Sequence, residues 1–208
     1  MATDNEDEDD NANLKYSTQH ALSARRQQTL EGFANAKRCR TNSNEAVVWS
    51  PDGQMLASGG QDLTVRLWHP TTGECCKIFN LDTDWLFWIS LAWSPDGKIL
   101  AIAVQSKIQL WDVATAICMK TLKGHEQYVV SVTWHPTKNL LASGSMARTA
   151  RIWDTSTQEC LQTLEHDNYV WSIAWSHNGK MLASASHDLT AKIWNGHTGL
   201  CLHTLLGH

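Results

Sequence analysis

At 208 residues, with 42% apolar residues, the chain suits one domain and a tail. Its balance of 17 basic against 21 acidic residues, net −4, points to neither a nucleic-acid binder nor a membrane-surface binder. No stretch approaches the roughly 20 apolar residues that span a bilayer, and the acidic start Met1–Asp10 is no signal peptide, so the expectation is a cytoplasmic or nuclear protein.

Residues 1–44 stand apart from the rest of the chain. Asp4, Glu6, Asp7, Glu8, Asp9 and Asp10 form a run that cannot bury itself and reads as disordered. Leu14 to Lys37 is richer in Ala, Leu, Gln and Arg and reads as a short helix or linker, with Leu22, Leu30 and Phe33 as weak anchors. Lys37-Arg38-Cys39-Arg40 reads as solvated linker rather than a nuclear-import signal.

From Glu45 the chain repeats itself four times. Trp49, Trp93, Trp134 and Trp175 recur at steps of 44, 41 and 41 residues, and Trp68, Trp111, Trp153 and Trp194 at steps of 43, 42 and 41. The units run about 45–84, 85–125, 126–166 and 167–208. Each reads as four short strands, a to d. In the third, Val129–Trp134 is strand a, Leu140–Gly144 strand b, Thr149–Trp153 strand c and Cys160–Leu164 strand d. Strand b is continuously apolar, as a strand covered on both faces should be. Pro51-Asp52-Gly53, Pro95-Asp96-Gly97 and His177-Asn178-Gly179 are hairpin turns, with Gly for positive φ. The class is all-β.

Cys75, Cys118, Cys160 and Cys201 occupy one position in all four units. They are expected on the outermost strand of each, too far apart to bridge, and buried as small hydrophobes. Cys75-Cys76 is no C-x-x-C, so all six cysteines read as reduced thiols of cytosol or nucleus. The ten histidines show no recurring metal spacing, and there is no phosphate loop, G-x-S-x-G or H-E-x-x-H. No cofactor or metal is expected.

A period in the low forties, Trp-Asp at Trp111-Asp112 and Trp153-Asp154, and Leu-Ala-Ser at Leu56, Leu141 and Leu182 together resemble the WD-repeat family of β-propellers over residues 45–208. The resemblance implies four four-stranded antiparallel blades in an open or incomplete propeller. Three arrangements stay open: truncation of a longer propeller, two chains pairing into an eight-bladed ring, or a strained four-blade closure. It also implies a polar set within each blade. Repeat four has it in full as His166, Ser184, Asp188 and Trp194; repeat three has His125, Ser143 and Trp153 with Ala147 for the Asp; repeat one has Ser58, Asp62 and Trp68 without the His. Repeat two keeps Trp111 alone.

The family's docking face, at the d–a and b–c loops, maps onto Trp171, Tyr169, His187, Tyr128, Val130, Phe87, Ile89, Gln61 and Met146. Interblade packing is the competing reading for Tyr128 and Tyr169. Trp85 and Trp88 are expected to fill a widened junction between blades one and two. The implied function is a non-catalytic scaffold or adaptor for protein or peptide partners, with self-association through open terminal blades. The alternatives are a regulatory fragment of a larger propeller, or an enzyme on a propeller scaffold, which lacks a catalytic constellation here.

Overall fold

The structure, a computed structural model, describes residues 44–207. The acidic tail, the helix expected over 14–37 and the basic cluster lie outside the described residues.

Sixteen strands form four sheets, each an antiparallel meander. Blade 1 is β1 (Asn44–Trp49), β2 (Leu56–Gly60), β3 (Thr64–Trp68) and β4 (Cys75–Asn80); blade 2 is β5 (Ile89–Trp93), β6 (Ile99–Val104), β7 (Lys107–Asp112) and β8 (Ile117–Lys123). Blade 3 is β9 (Val129–Trp134), β10 (Leu140–Ser145), β11 (Thr149–Asp154) and β12 (Cys160–Glu165); blade 4 is β13 (Val170–Trp175), β14 (Met181–Ser186), β15 (Thr190–Asn195) and β16 (Cys201–Leu206). The strands anticipated for repeat three are reproduced within one residue. None of the described residues is helical, and none forms a helix long and apolar enough to cross a membrane.

The inner strands β1, β5, β9 and β13 meet their neighbours in chain order. Three apolar layers lie between successive blades. In each, one blade supplies mostly small and branched side chains, with Phe79 added in the first, and the next supplies its two tryptophans. Ala142, Ala150, Ile152 and Leu164 of blade 3, for example, pack on Ile173, Leu182, Trp175 and Trp194 of blade 4. Gly144 keeps this layer thin, because a Cβ there would sit 3.0 Å from the Val170 side chain.

The four blades differ at one informative place. In blades 1, 3 and 4 the a–b pairing carries a β-bulge, at Glu45, Val130 and Trp171, and the b–c turn has three residues ending in positive φ at Leu63, Arg148 and Leu189. Blade 2 pairs Ile89 with Val104 without a bulge and turns on two residues, Gln105 and Ser106. The spacing from Trp93 to Trp111 is accordingly 18 residues, against 19 in the other repeats.

The repeated cysteines do lie on the outer strands, but they are not core. Cys75, Cys160 and Cys201 are exposed and Cys118 is half-buried; none of the described cysteines is bridged. Each thiol donates to the carbonyl two residues ahead. The outer strand faces solvent on one side, and alternation places the cysteine there.

Candidate functional site

The polar sets come first, since one resembles a catalytic triad. In blade 4, Trp194 Nε1 donates to Ser184 Oγ at 2.7 Å, Ser184 Oγ lies 2.7 Å from His166 Nε2, and His166 Nδ1 lies 3.0 Å from Asp188 Oδ2. A carboxylate only accepts, so His166 carries its proton on Nδ1 and receives the serine proton at Nε2. Burial lowers the His166 pKa, against the opposing hydrogen bond to Asp188. Burial alone would raise Asp188, but hydrogen bonds from Thr190 and His166 prevail and hold it well below the usual carboxylate range. Ser184 is 2% exposed and its oxygen already accepts from an indole. A nucleophile needs a reachable oxygen and an oxyanion site beside it; Ser184 lies inside the blade, so the set is structural.

Blade 3 repeats the pattern with one member missing. Ser143 Oγ takes the Trp153 indole at 2.8 Å and lies 2.7 Å from His125 Nε2. With Ala147 in the Asp position, His125 Nδ1 finds only Thr149 Oγ1, at 3.4 Å. Burial, with the charge of Arg151 adding to it, pushes the His125 pKa down to about 3. In blade 1, Trp68 donates to Ser58 at 2.7 Å, while Asp62 turns to Thr64 and to an ion pair with Arg66 at 3.0 Å. Blade 2 has Ile102 where the others have Ser, and Trp111 Nε1 donates instead to Gln109 Oε1 at 3.0 Å. Sequence reading misses Gln109. It stands two residues before the strand-c Trp, where the other repeats carry Arg66, Arg151 and Lys192.

The residues expected on a docking face separate into two groups. Ile89 and Val130 are not surface: they are 3% and 5% exposed. Ile89 is displaced because blade 2 lacks the bulge. Its structural counterparts are Val129 and Val170, one position further from the Trp, and all three are buried. Val130 does share the bulge position with Trp171, but its side chain is too short to emerge. Gln61 and Met146 are half-buried at turns of their own blades.

The others gather. Tyr169 stacks on His187 with ring centres 6.3 Å apart, and both meet Trp171, at 6.1 and 6.4 Å. Trp171 reaches past blade 3 to Trp88 of blade 2, at 5.8 Å. Phe87 and Trp85 bracket Tyr128, at 5.9 and 5.8 Å. Trp85 and Trp88 therefore do not fill the junction between blades 1 and 2; they are 51% and 40% exposed. Gln105 Nε2 holds their segment through Thr83 Oγ1 at 3.0 Å. The result is two aromatic groups, Trp85, Phe87 and Tyr128 at blades 2 and 3 and Trp88, Trp171, Tyr169 and His187 from blade 2 to blade 4, linked by the sequence neighbours Phe87 and Trp88. At the blade 2–3 end lies a cavity of about 340 Å³, lined by Trp85, Gln105, Ser106, Glu126, Gln127 and Tyr128. Nothing in the repeat pattern marks Glu126. Among the described residues no group of His, Cys, Asp and Glu is placed to hold a metal ion.

Comparison with known proteins agrees with this architecture. The family described as WD domain, G-beta repeat, matches at residues 42–69, 73–112, 116–154 and 158–195. Each match after the first runs from the outer strand of one blade to the third strand of the next. The chain is 33% identical over 118 residues to small ribosomal subunit protein RACK1y of Oryza sativa subsp. japonica, covering 53% of this chain and 34% of that one. It is 32% identical over 122 residues to COMPASS component SWD3 of Saccharomyces cerevisiae, covering 58% and 38%. It is 30% identical over 173 residues to nuclear distribution protein PAC1 of Arthroderma benhamiae, covering 68% and 37%. The aligned part is thus little more than a third of each of these relatives. With four repeats matched over more than half of the chain, which folds as four four-stranded blades, the chain belongs to the WD-repeat family.

Proposed function

We propose that this chain is a non-catalytic interaction platform that seats an extended peptide on the aromatic surface of blades 2 to 4. The observation that carries this reading is the contact between Trp88 and Trp171, which joins the loop edges of two non-adjacent blades into one exposed surface. Such side chains would otherwise be costly to leave in water, and Trp and Tyr dominate interface hot spots because they combine area with a polar handle. A basic or apolar anchor suits it: ring faces attract cations, and Glu126 supplies a carboxylate beside Trp85 and Tyr128. Two of the relatives bear names that place them in assemblies, a ribosomal subunit and the COMPASS complex. The exposed free thiols on the blade rims suit a reducing compartment, cytosol or nucleus.

Selection from a displayed peptide library tests the platform. The chain should enrich sequences with Lys, Arg or large apolar anchors. Trp171→Ala should weaken a selected peptide by about 2 kcal/mol or more, as a hot spot does, with the thermal midpoint nearly unchanged. Binding that falls only in step with the folded fraction would show Trp171 to be a packing residue and end the proposal.

A further inference from the structure

Blades 1, 3 and 4 share one turn between strands b and c, and in two of them it delivers a carboxylate. In blade 1 Asp62 Oδ1 accepts from Thr64 N and Thr64 Oγ1, at 3.1 and 2.7 Å, and Asp62 Oδ2 accepts from Arg66 Nη2 at 3.0 Å. In blade 4 Asp188 Oδ1 accepts from Thr190 N and Thr190 Oγ1, at 2.9 and 2.6 Å. Asp188 Oδ2 accepts from His166 Nδ1 at 3.0 Å and from Asp167 N at 3.1 Å. The pattern is common to both. One oxygen sits on the threonine, and the other on a second donor, which is an arginine in blade 1 and a histidine in blade 4. Both carboxylates are almost covered, with side-chain exposures of 2% and 6%.

Blade 3 carries the donors of both arrangements and no carboxylate of its own. Ala147 stands at the Asp position on the same backbone. Ala147 N donates to Ser145 Oγ at 3.0 Å, as Asp188 N does to Ser186 Oγ at 3.1 Å, and Arg148 and Leu189 share the positive φ, at 63° and 67°. Thr149 is the threonine of the pattern, His125 the ring, and Arg151 the cation, two residues before Trp153 as Arg66 is before Trp68. His125 is 7% exposed; its Nε2 is engaged by Ser143 Oγ at 2.7 Å, but its Nδ1 has only the 3.4 Å contact with Thr149 Oγ1. Arg151 Nε is buried and has no hydrogen-bond partner among the described residues. The guanidinium is held close to the ring: its Cζ lies 5.7 Å from the centre of Trp153, and a Cβ on Gly124 would sit 2.6 Å from Arg151 Nη1. Buried nitrogens of this kind are costly to leave unpaired. Of the charged side chains on the adjoining segments, Lys123, Arg148 and Arg151 outnumber Glu126 and Glu165.

We propose that blade 3 binds the carboxylate of an Asp or Glu side chain of the partner peptide, at the place that Asp62 and Asp188 fill in their own blades. One oxygen takes the Thr149 hydroxyl; the other takes His125 Nδ1 and the Arg151 guanidinium, a charge-assisted contact. Entry is from the turn, where Ala147, Thr149 and Arg151 are half-buried and Glu126 and Arg148 beside them are exposed. The inference rests on the platform reading and adds a second kind of anchor to it. Met146 N donates to Tyr128 O at 2.9 Å, so the turn lies against the segment that carries an aromatic ring and lines the cavity beside it. A peptide with a basic or apolar anchor on the rings therefore carries its acidic residue close to that anchor. A carboxylate suits the place better than a phosphate: it is planar and singly charged, it matches the two-oxygen pattern of Asp62 and Asp188, and it meets less repulsion from Glu126.

Two measurements on the 208-residue chain test this. The first titrates sodium acetate, with sodium chloride at equal ionic strength as the control, and follows the ring nitrogens of His125 and the indole of Trp153 by NMR. Acetate should give a saturable shift at His125 that chloride does not. Ala147→Asp, which supplies the carboxylate from within the chain, should abolish that shift, and so should Arg151→Gln. No saturable shift in the wild type, or the same shift in both variants, would overturn the inference. A stronger response to inorganic phosphate than to acetate would overturn it too, by assigning the place to a phosphorylated side chain. The second measurement selects a displayed peptide library on the wild type and on Ala147→Asp in parallel. The wild type should enrich Asp or Glu at a fixed spacing from the basic or apolar anchor, and the variant should not; equal enrichment of the acid on both would overturn the inference. For a selected peptide, replacing that acid by its amide should weaken binding to the wild type at least about tenfold, the equivalent of roughly 1.4 kcal/mol, and should leave binding to Ala147→Asp unchanged. An acetate response without enrichment of any anchor would end the platform reading and leave the carboxylate site standing. A thermal midpoint for Ala147→Asp at or above that of the wild type separates loss of binding from loss of the fold.

Discussion

Blades 2 and 4 solve the same packing problem with different chemistry. Blade 4 carries the complete chain Trp194–Ser184–His166–Asp188, yet its outer strand β16 is exposed along its length. Blade 2 has no His, no Ser and no Asp at these positions, yet its strands β6 and β7 are the most completely buried pair, with Leu100, Ala101, Ile102 and Ala103 all at 0%. A buried polar set must be complete or its orphaned members cost stability. An apolar layer between two neighbouring blades has no such condition. Blade 3 has both at once, with apolar layers on two sides and His125, Ser143 and Trp153 bonded within it, so the polar set adds to the apolar layer whereas Ile102 replaces it.

The strongest way to break this comparison is to give blade 2 what the others have. Ile102→Ser should destabilise the chain by about 2–5 kcal/mol, the range for deleting a buried branched side chain, even though it offers Trp111 a second acceptor. A urea midpoint equal to wild type would mean that the polar and apolar solutions are interchangeable. Next in size is the reverse experiment in blade 4. Asp188 accepts from Thr190 N, Thr190 Oγ1, Asp167 N and His166 Nδ1, so Asp188→Ala should cost about 1–3 kcal/mol for the donors it strands. Arg148→Ala, at the turn of blade 3 where the Asp is already lacking, should stay within about 0.5 kcal/mol. Equal midpoints for these two variants would remove the case for a polar set as a unit.

The histidines sharpen the same contrast through pH. His125 titrates at about 3 in the folded chain because burial disfavours its charge. An unfolded histidine titrates near about 6.5. As pH falls through that value the unfolded state takes up a proton that the folded state refuses, so stability drops toward pH 3, by at most about 1.4 kcal/mol per pH unit from this group. His166 contributes in the same direction but less steeply, since Asp188 opposes the shift. Urea midpoints at pH 7 and pH 5 should therefore differ, and His125→Gln should flatten that difference more than His166→Gln does. An identical slope in both variants would locate the pH dependence elsewhere.

How much of this is legible in the sequence depends on whether a period or a register carries it. Strand positions in blade 3 follow from turn signals and paired tryptophans, because a fourfold repetition of small cues leaves little freedom. Counting backward from the strand-a Trp works for Trp171, where the bulge is present. It fails for Ile89, where the missing bulge shifts by one position the residues that precede Ser90 while Ser90–Trp93 keep the common register. Trp85 and Trp88 escape the junction expected for them for the same reason: an extra length of chain shows in the spacing, but the direction of its side chains does not. Gln109 is hidden because its role exists only once Ile102 has displaced the serine.

The finest test restores what blade 3 lacks. Ala147 N donates to Ser145 Oγ at 3.0 Å, as Asp188 N donates to Ser186 Oγ at 3.1 Å, so the two turns share a backbone. Thr149 stands where Thr190 stands, His125 where His166 stands, and Glu126 N where Asp167 N stands. All four donors that serve Asp188 therefore have counterparts around position 147, and His125 Nδ1 now makes only a 3.4 Å contact with Thr149 Oγ1. Ala147→Asp should gain about 0.5–1.5 kcal/mol, the net worth of a hydrogen bond in a folded protein. The carboxylate should also raise the His125 pKa and so make the fall in stability below about pH 6.5 shallower. A gain at pH 7 together with a flatter pH profile is the expected pair of results. A loss of stability would mean that the Glu126 carboxylate and burial of a new charge outweigh the four waiting donors, and that blade 3 is tuned to its alanine.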